Sequence, residues 1–155
     1  MSDKNKSNLL LCITGSIAAY KSVDLARLFT KSNFDVRVIM TESAKEFITP
    51  LTLQAISGNQ IHEILLDVEA ERAMGHIELA KWADLILVAP CTAETISRLS
   101  QGRADDLLGA VILASQARVF LAPAMNMNMW SNETTQKNVE HLSSTGIDLI
   151  GPSKG

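Results

Sequence analysis

Five short aliphatic runs punctuate the chain: Leu9–Thr14, Val36–Met40, Leu85–Ala89, Val119–Ala122 and, more weakly, Ile147–Ile150. Within each run apolar residues follow one another instead of alternating with polar ones. An alternating strand keeps one wet face, whereas a continuous run fits a strand buried on both faces of a parallel sheet. Helical patterns separate the runs. Ser16–Lys31 spaces Leu25, Leu28 and Phe29 three and four apart, which predicts that these three form the buried face. Thr92–Ser100 and Asp106–Ser115 follow the third run, and Asn132–Ser144 precedes the last and meets Gly146, a helix stop. Between Thr49 and Ala73, Pro50 opens a helix through Ile56, Ser57-Gly58-Asn59 breaks it, and Ile61–Leu65 reads as a short strand. Strand and helix alternating in this way predict a single α/β domain with an open, mostly parallel, doubly wound sheet.

Composition narrows the class without changing that picture. The 155 residues, 46% apolar and 20% charged, suit one ordinary soluble domain. A net charge of −3 gives no electrostatic reason to expect nucleic acid or an anionic membrane. No apolar run approaches the roughly 20 residues that span a bilayer. Met1–Asn8 is polar and lacks a signal core, so residues 1–8 read as a disordered leader and 9–155 as the domain. Two cysteines, Cys12 and Cys91, are too few for a disulfide scaffold, and the cytoplasm is the expected compartment. His62, His76 and His141 have no partner at metal-site spacing, so no metal is expected, and His62 and His141 read as surface residues.

The first run passes into Thr14-Gly15-Ser16-Ile17-Ala18-Ala19-Tyr20-Lys21. A strand, a tight glycine turn and a helix start present backbone N–H groups to an anion, and Ser16 adds a hydroxyl. The plain alternative is the βα turn that any such domain needs. The dinucleotide fingerprint GxGxxG fails because Gly15 stands alone, and the P-loop pattern fails because no Gly directly precedes Lys21. A mononucleotide such as FMN fits this turn better than NAD or ATP. The second run ends in Thr41, with Glu42 next in line for a ribose. In Rossmann-like and flavodoxin-like sheets ligands bind at the carboxyl ends of the strands. That rule gathers Gly15–Ala18, Thr41–Ser43, Pro90–Thr95 and Pro123–Trp130 into one crevice, with Pro90 and Pro123 expected to end their strands.

Three signatures occur in order: Gly15-Ser16-Ile17-Ala18-Ala19-Tyr20-Lys21, then Gly75-His76-Ile77-Glu78-Leu79, then Pro123-Ala124-Met125-Asn126-Met127-Asn128-Met129-Trp130. The last reads P-x-M-N-x-x-M-W, about fifty residues beyond the histidine. Across residues 9–152 the chain resembles the homo-oligomeric flavin-containing cysteine decarboxylases. Phe47-Ile48-Thr49-Pro50-Leu51 and Met74-Gly75-His76 are most similar to the bacterial branch acting on phosphopantothenoylcysteine.

The resemblance implies FMN held by Gly15, Ser16, Ile17, Thr41, Thr92, Ala93, Glu94 and Thr95. It implies His76 as the acid–base residue beside the thiol, a role suited to an ordinary imidazole pKa near 6.5. It implies Asn126 as the residue that orients the substrate carboxylate. A buried arginine there would stabilise the carboxylate and oppose loss of CO₂. The plain readings are a helix-entry histidine and an Asx turn after Pro123. Met127 and Met129, with Met125, would form a substrate-facing or subunit-facing wall in a loop, and Trp130 would serve packing.

The implied reaction oxidises the substrate thiol to a thioaldehyde, loses CO₂ from the carboxylate β to C=S, and reduces the enethiol to 4′-phosphopantetheine. The implied assembly is a homotrimer or a trimer-based dodecamer. Two departures from the family stand out. Pro90-Cys91-Thr92-Ala93-Glu94 replaces P-A-S-A-N, so a carboxylate stands where the family has an amide. The family also continues into a clamp with a reactive cysteine, and in bacteria often into a ligase domain. The 155 residues end before that clamp, and neither Cys12 nor Cys91 occupies its position. The competing readings are a peptidyl-cysteine decarboxylase of lantibiotic maturation and a non-catalytic flavoprotein regulatory subunit. Flavin prenyltransferases fit less well, since they lack the His76 and Asn126 signatures.

Overall fold

In the computed structural model, which describes residues 5–65 and 75–152, five strands form one parallel sheet. They are β1 (Ser7–Ile13), β2 (Phe34–Met40), β3 (Leu85–Cys91), β4 (Arg118–Pro123) and β5 (Asp148–Leu149), in the spatial order β2-β1-β3-β4-β5. This is the flavodoxin-like order, in which the winding reverses between β1 and β3. The helices are α1 (Lys21–Lys31), α2 (Pro50–Ser57), α3 (His76–Trp82), α4 (Ala93–Ser100), α5 (Leu107–Ala114), α6 (Met127–Ser131) and α7 (Glu133–Ser144).

The central runs, β1 and β3, are buried on both faces, as expected, whereas burial alternates along β4 and β5 is only partly buried. Leu9, Leu11 and Ile13 of β1 meet Ala26 of α1 and Leu53 of α2 on one side. Leu10 and Cys12 meet Leu79 of α3, Ile96 of α4, Leu108 and Val111 of α5 and Leu142 of α7 on the other. Local chemistry marks the helix boundaries. Thr49 caps the Pro50 helix, and Gly58 ends it in the left-handed conformation at φ 74°. Asp106 and Asn132 cap α5 and α7 through their side-chain oxygens.

Several expectations are revised. β1 begins at Ser7, so Ser7 and Asn8 belong to the sheet and not to a leader. Asn8 N–H donates to Asp84 at 2.8 Å and its side-chain amide donates to the Trp82 carbonyl, which anchors the strand start. Residues 1–4 lie outside the described residues. Ser16–Lys31 is not one helix: a 3₁₀ turn over Ile17–Tyr20 precedes α1. Leu25 and Phe29 pack partly buried against the core, as expected, but the fully buried positions of α1 are Ser22 and Ala26, whose small side chains let the helix approach the sheet, and Leu28 is exposed. Pro90 does not end its strand. β3 runs on to Cys91 through a register shift after Val88, and there the Pro90 carbonyl accepts from Thr14. The strand expected at Ile61–Leu65 is a single parallel bridge between His62 and Ile39, and residues 66–73 lie outside the described residues.

His62 is likewise not a surface residue. Its backbone bonds to Val38 and Met40, its side chain is 8% exposed, and its Nε2 is buried without a hydrogen-bond partner. Burial, and then the nearby Arg37 charge, pull its pKa below the ordinary value. Arg37 lies over the Trp82 ring, 5.0 Å from its centroid. His141 is exposed, as expected.

Candidate active site at the carboxyl edge of the sheet

A cleft of about 710 Å³ opens at the carboxyl ends of β1, β2, β3 and β4. That is the size of a small-molecule site, and it lies at the reversal of strand order where such sheets bind ligands. Its walls include Gly15, Ser16, Thr41, Ser43, Thr92, Ala93, Glu94 and Thr95, together with Met129 from α6. Seven of the eight residues expected to hold a cofactor therefore share one cavity. Ile17 is the exception: it opens the 3₁₀ turn with its side chain 82% exposed.

The Gly15 turn is built for close approach. A Cβ added at Gly15 would lie 2.5 Å from Ser43 Cβ and 2.9 Å from its backbone carbon, and closer still to Oγ. Ser43 belongs to a 3₁₀ turn over Ser43–Glu46, where Thr41 Oγ1 lies 3.3 Å from Ser43 Oγ and accepts from Ala44 N–H. Ser43 was among the residues gathered at the strand ends, but its contact with Gly15 is tertiary and left no local signal. The hydroxyls of Ser16, Thr41 and Ser43 stand around this turn. With the turn's backbone they make a neutral donor set for one phosphate, so the residues present fit a mononucleotide. Glu42, the candidate for a ribose, is instead bound by Lys45 at 2.9 Å, and Lys45 also reaches Glu63 at 3.0 Å. The hydrogen bond to Glu42, then that to Glu63, raises the Lys45 pKa.

The opposite wall is the start of α4. Thr92 Oγ1 accepts from Thr95 N–H at 3.1 Å and bonds Thr95 Oγ1 at 2.9 Å. Glu94, the departure from P-A-S-A-N, is largely exposed and lies 4.0 Å from Arg98 in the next turn. An acid in the first turn complements the helix dipole, which accounts for it structurally. Arg98, also in the cleft wall, is held by Asp105.

Asn126 caps α6, its Oδ1 accepting from Met129 N–H at 2.8 Å. The methionine loop is therefore a short helix, and the 125, 127, 129 alternation does not put three side chains on one wall. Met125 and Met129 line the cleft, whereas Met127 is 79% exposed and does not. Asn126 and His76 also lie outside the cleft's lining residues. His76 is half-buried at the first position of α3. Because α3 runs back into β3 of a parallel sheet, its N-terminus comes to the same edge as the cleft.

Cys12 and Cys91 are both free thiols and fully buried. Burial pushes both far above the ordinary thiol value, which favours the neutral thiol over the thiolate. Among the described residues no three His, Cys, Asp or Glu side chains gather as a metal site, and no helix is long and apolar enough to cross a membrane.

Comparison with known proteins meets this geometry. The flavoprotein family model matches residues 1–154. The chain belongs to the flavoprotein family. This flavoprotein is 54% identical over 151 residues to the coenzyme A biosynthesis bifunctional protein CoaBC of Haemophilus influenzae, covering 97% of the chain and 38% of that protein. It thus spans well under half the length of that relative. Among solved structures, the flavoprotein matches a variant PPC decarboxylase complexed with pantothenoylaminoethenethiol at 34% identity and TM-score 0.82, over 97% of this chain and 84% of that one. It also matches the FMN-dependent cysteine decarboxylase SpaF at 29% identity and TM-score 0.87, over 96% of this chain and 86% of that one.

Proposed function

We propose that this flavoprotein domain decarboxylates 4′-phosphopantothenoylcysteine to 4′-phosphopantetheine with FMN as cofactor, a step of coenzyme A biosynthesis. The observation that carries the reading is the cleft at the β1/β3 reversal, walled by Gly15, Ser16, Thr41, Thr92 and Thr95. Its kinship with the CoaBC proteins and with PPC decarboxylase supports the choice of substrate. Gly15, Ser16, Thr41 and Ser43 take the phosphate, and Thr92–Thr95 line the flavin. Bound FMN supplies the oxidation of the substrate thiol and its later reversal. His76 takes the thiol proton. Asn126, its oxygen fixed by Met129 N–H, offers its Nδ2 to the substrate carboxylate. An amide orients that carboxylate without stabilising its charge, which must be lost with CO₂. Arg98, the nearby cation, is committed to Asp105 and does not compete for it.

The assembly that fits this reading is a homotrimer or a trimer-based dodecamer, with exposed Ile17 and Met127 covered by a neighbour. The cytoplasm is the compartment it implies. A second reading, a peptidyl-cysteine decarboxylase, has support from the match at TM-score 0.84 and 27% identity to EpiD complexed with a substrate peptide. One assay separates the two. Purified yellow protein is given phosphopantothenoylcysteine or a peptide ending in cysteine, and CO₂ is measured. Release from the first alone is expected. Release from the peptide alone, or FAD as the extracted flavin, would overturn the proposal.

A further inference from the structure

Thr14 is a buried hydroxyl that the reaction does not use. It stands where β1 leaves the sheet, one residue before the Gly15 turn, and is 1% exposed. The β1–β3 ladder runs from Leu9 opposite Leu85 to Cys12 opposite Val88. Beyond it the backbone link between the two strand ends is a long one, from Thr14 N–H to the Pro90 carbonyl at 3.4 Å. The Thr14 side chain adds shorter contacts at that point. Its Oγ1 donates to the Pro90 carbonyl at 2.6 Å and accepts from Thr92 N–H at 3.2 Å. The hydroxyl thus uses both its donor and an acceptor lone pair, on residues either side of Cys91. Thr92 passes the connection on to Thr95, itself buried.

The two strand ends so joined carry the two walls of the cleft: Gly15 and Ser16 on one side, Thr92–Thr95 on the other. Winding reverses between these strands, so no short chain connection holds the walls together. We infer that Thr14 is a positioning residue: it holds the phosphate turn and the α4 wall at the spacing at which one mononucleotide touches both. This inference rests on the FMN reading above. A ligand bridging both walls gains only if their separation is set beforehand, because each wall adjusted on binding subtracts from affinity.

Ser22 provides an internal comparison. It too is buried and donates to β3, to the Ala89 carbonyl at 2.8 Å, but it bonds no residue of the α4 wall. Loss of either hydroxyl takes a donor from a β3 carbonyl, whereas loss of the Thr14 hydroxyl alone also takes the acceptor from Thr92 N–H.

The test titrates FMN into flavin-stripped wild type, Thr14→Val, Thr14→Ser, Thr14→Cys and Ser22→Ala. Flavin fluorescence gives Kd, visible circular dichroism reads the bound ring, and thermal melts report stability. Thr14→Val should raise Kd about tenfold or more and change the visible dichroism. Thr14→Ser should restore both. Thr14→Cys, a weak donor and weak acceptor of similar size, should fall between them, and decides the matter alone if the valine variant does not fold. Ser22→Ala should lower the melting temperature while leaving Kd and dichroism as in wild type. Wild-type affinity and dichroism in both Thr14→Val and Thr14→Cys would overturn the inference, as would equal weakening by Ser22→Ala. Failure of the wild type itself to take up FMN would overturn the cofactor reading, and the inference with it.

Discussion

Replacing Gly15 with alanine tests the cleft at its tightest point. The new Cβ would sit 2.5 Å from Ser43 Cβ and 2.9 Å from its backbone carbon, where carbon atoms settle at roughly 3.5–4 Å. Rotating the Ser43 hydroxyl relieves neither contact. The 3₁₀ turn would have to move by about 1 Å, yet it is tied back by Ala44 N–H to Thr41 and by Lys45 to Glu42 and Glu63. Overpacking of this kind costs about 1–3 kcal/mol. In a domain of this size each kcal/mol lowers Tm by about 2–4 °C, so a fall of roughly 2–12 °C is expected. Because the displaced groups are those assigned to the phosphate, FMN affinity should fall at least about tenfold, or 1.4 kcal/mol. Thermal melts and flavin fluorescence titration measure the two effects. Ser43→Gly removes the Cβ and Oγ contacts and leaves the backbone one. The double variant should therefore recover part of the lost Tm, giving a positive coupling in the cycle. Gly15→Ala with unchanged Tm and FMN uptake would refute the close packing of the two turns and the phosphate assignment built on it.

Three further outcomes are expected. Asn126→Asp keeps a good helix cap, so the melt should stay near wild type, while CO₂ release is lost because a carboxylate now faces the substrate's own; Asn126→Ala should instead also cost about 1 kcal/mol of stability, read by urea unfolding. His76→Asn should abolish CO₂ release with FMN still bound, and retention of more than about a tenth of the wild-type rate, roughly 1.4 kcal/mol in barrier, would remove it from the chemistry. The depressed pKa of His62 means that the folded state resists protonation. The stability this gives is present above about pH 6.5, the unfolded value. It is lost as pH falls from there through the folded value, by at most about 1.4 kcal/mol per pH unit. Urea midpoints measured between pH 7 and pH 5 should show this slope in wild type and a shallower one in His62→Gln, and identical slopes would refute it.

What the sequence revealed, and what it hid, follows from the range of the forces involved. Aliphatic runs leave a local trace, so all five strands were legible to within a few residues, most sharply the central β1 and β3 that are buried on both faces. Caps are local too, and Thr92, Asp106 and Asn132 stood at the expected helix starts. Leu28 misled because α1 is most deeply buried at Ser22 and Ala26, with Leu25 and Phe29 beside them, and small side chains chosen for close approach do not register as a hydrophobic stripe. Pro90 misled because a missing N–H matters little where the ladder is already shifting register. The helix at Met127–Ser131 is too short to show a period. His62 looked superficial because one residue bridging to Ile39 has no pattern at all. The cleft residues were legible mainly through ordered signatures, whereas the pairing of Gly15 with Ser43 and of Thr14 with Thr92 exists only once strands from distant parts of the chain lie side by side.

Around the cleft, the side-chain oxygens of Ser16, Thr92, Asp106 and Asn126 all accept from the first backbone N–H groups of the turns or helices they precede. On the proposed function, Ser16, Thr92 and Asn126 would therefore answer to two selections at once, one for ligand and one for chain direction. Drift there is confined to the few residue types that cap well, chiefly serine, threonine, aspartate and asparagine. Threonine at position 92 in place of the family's serine is a change of that permitted kind. Divergence toward a new substrate would have to begin elsewhere, at positions such as Ile17 and Met127 whose exposed side chains hold no part of this chain in place.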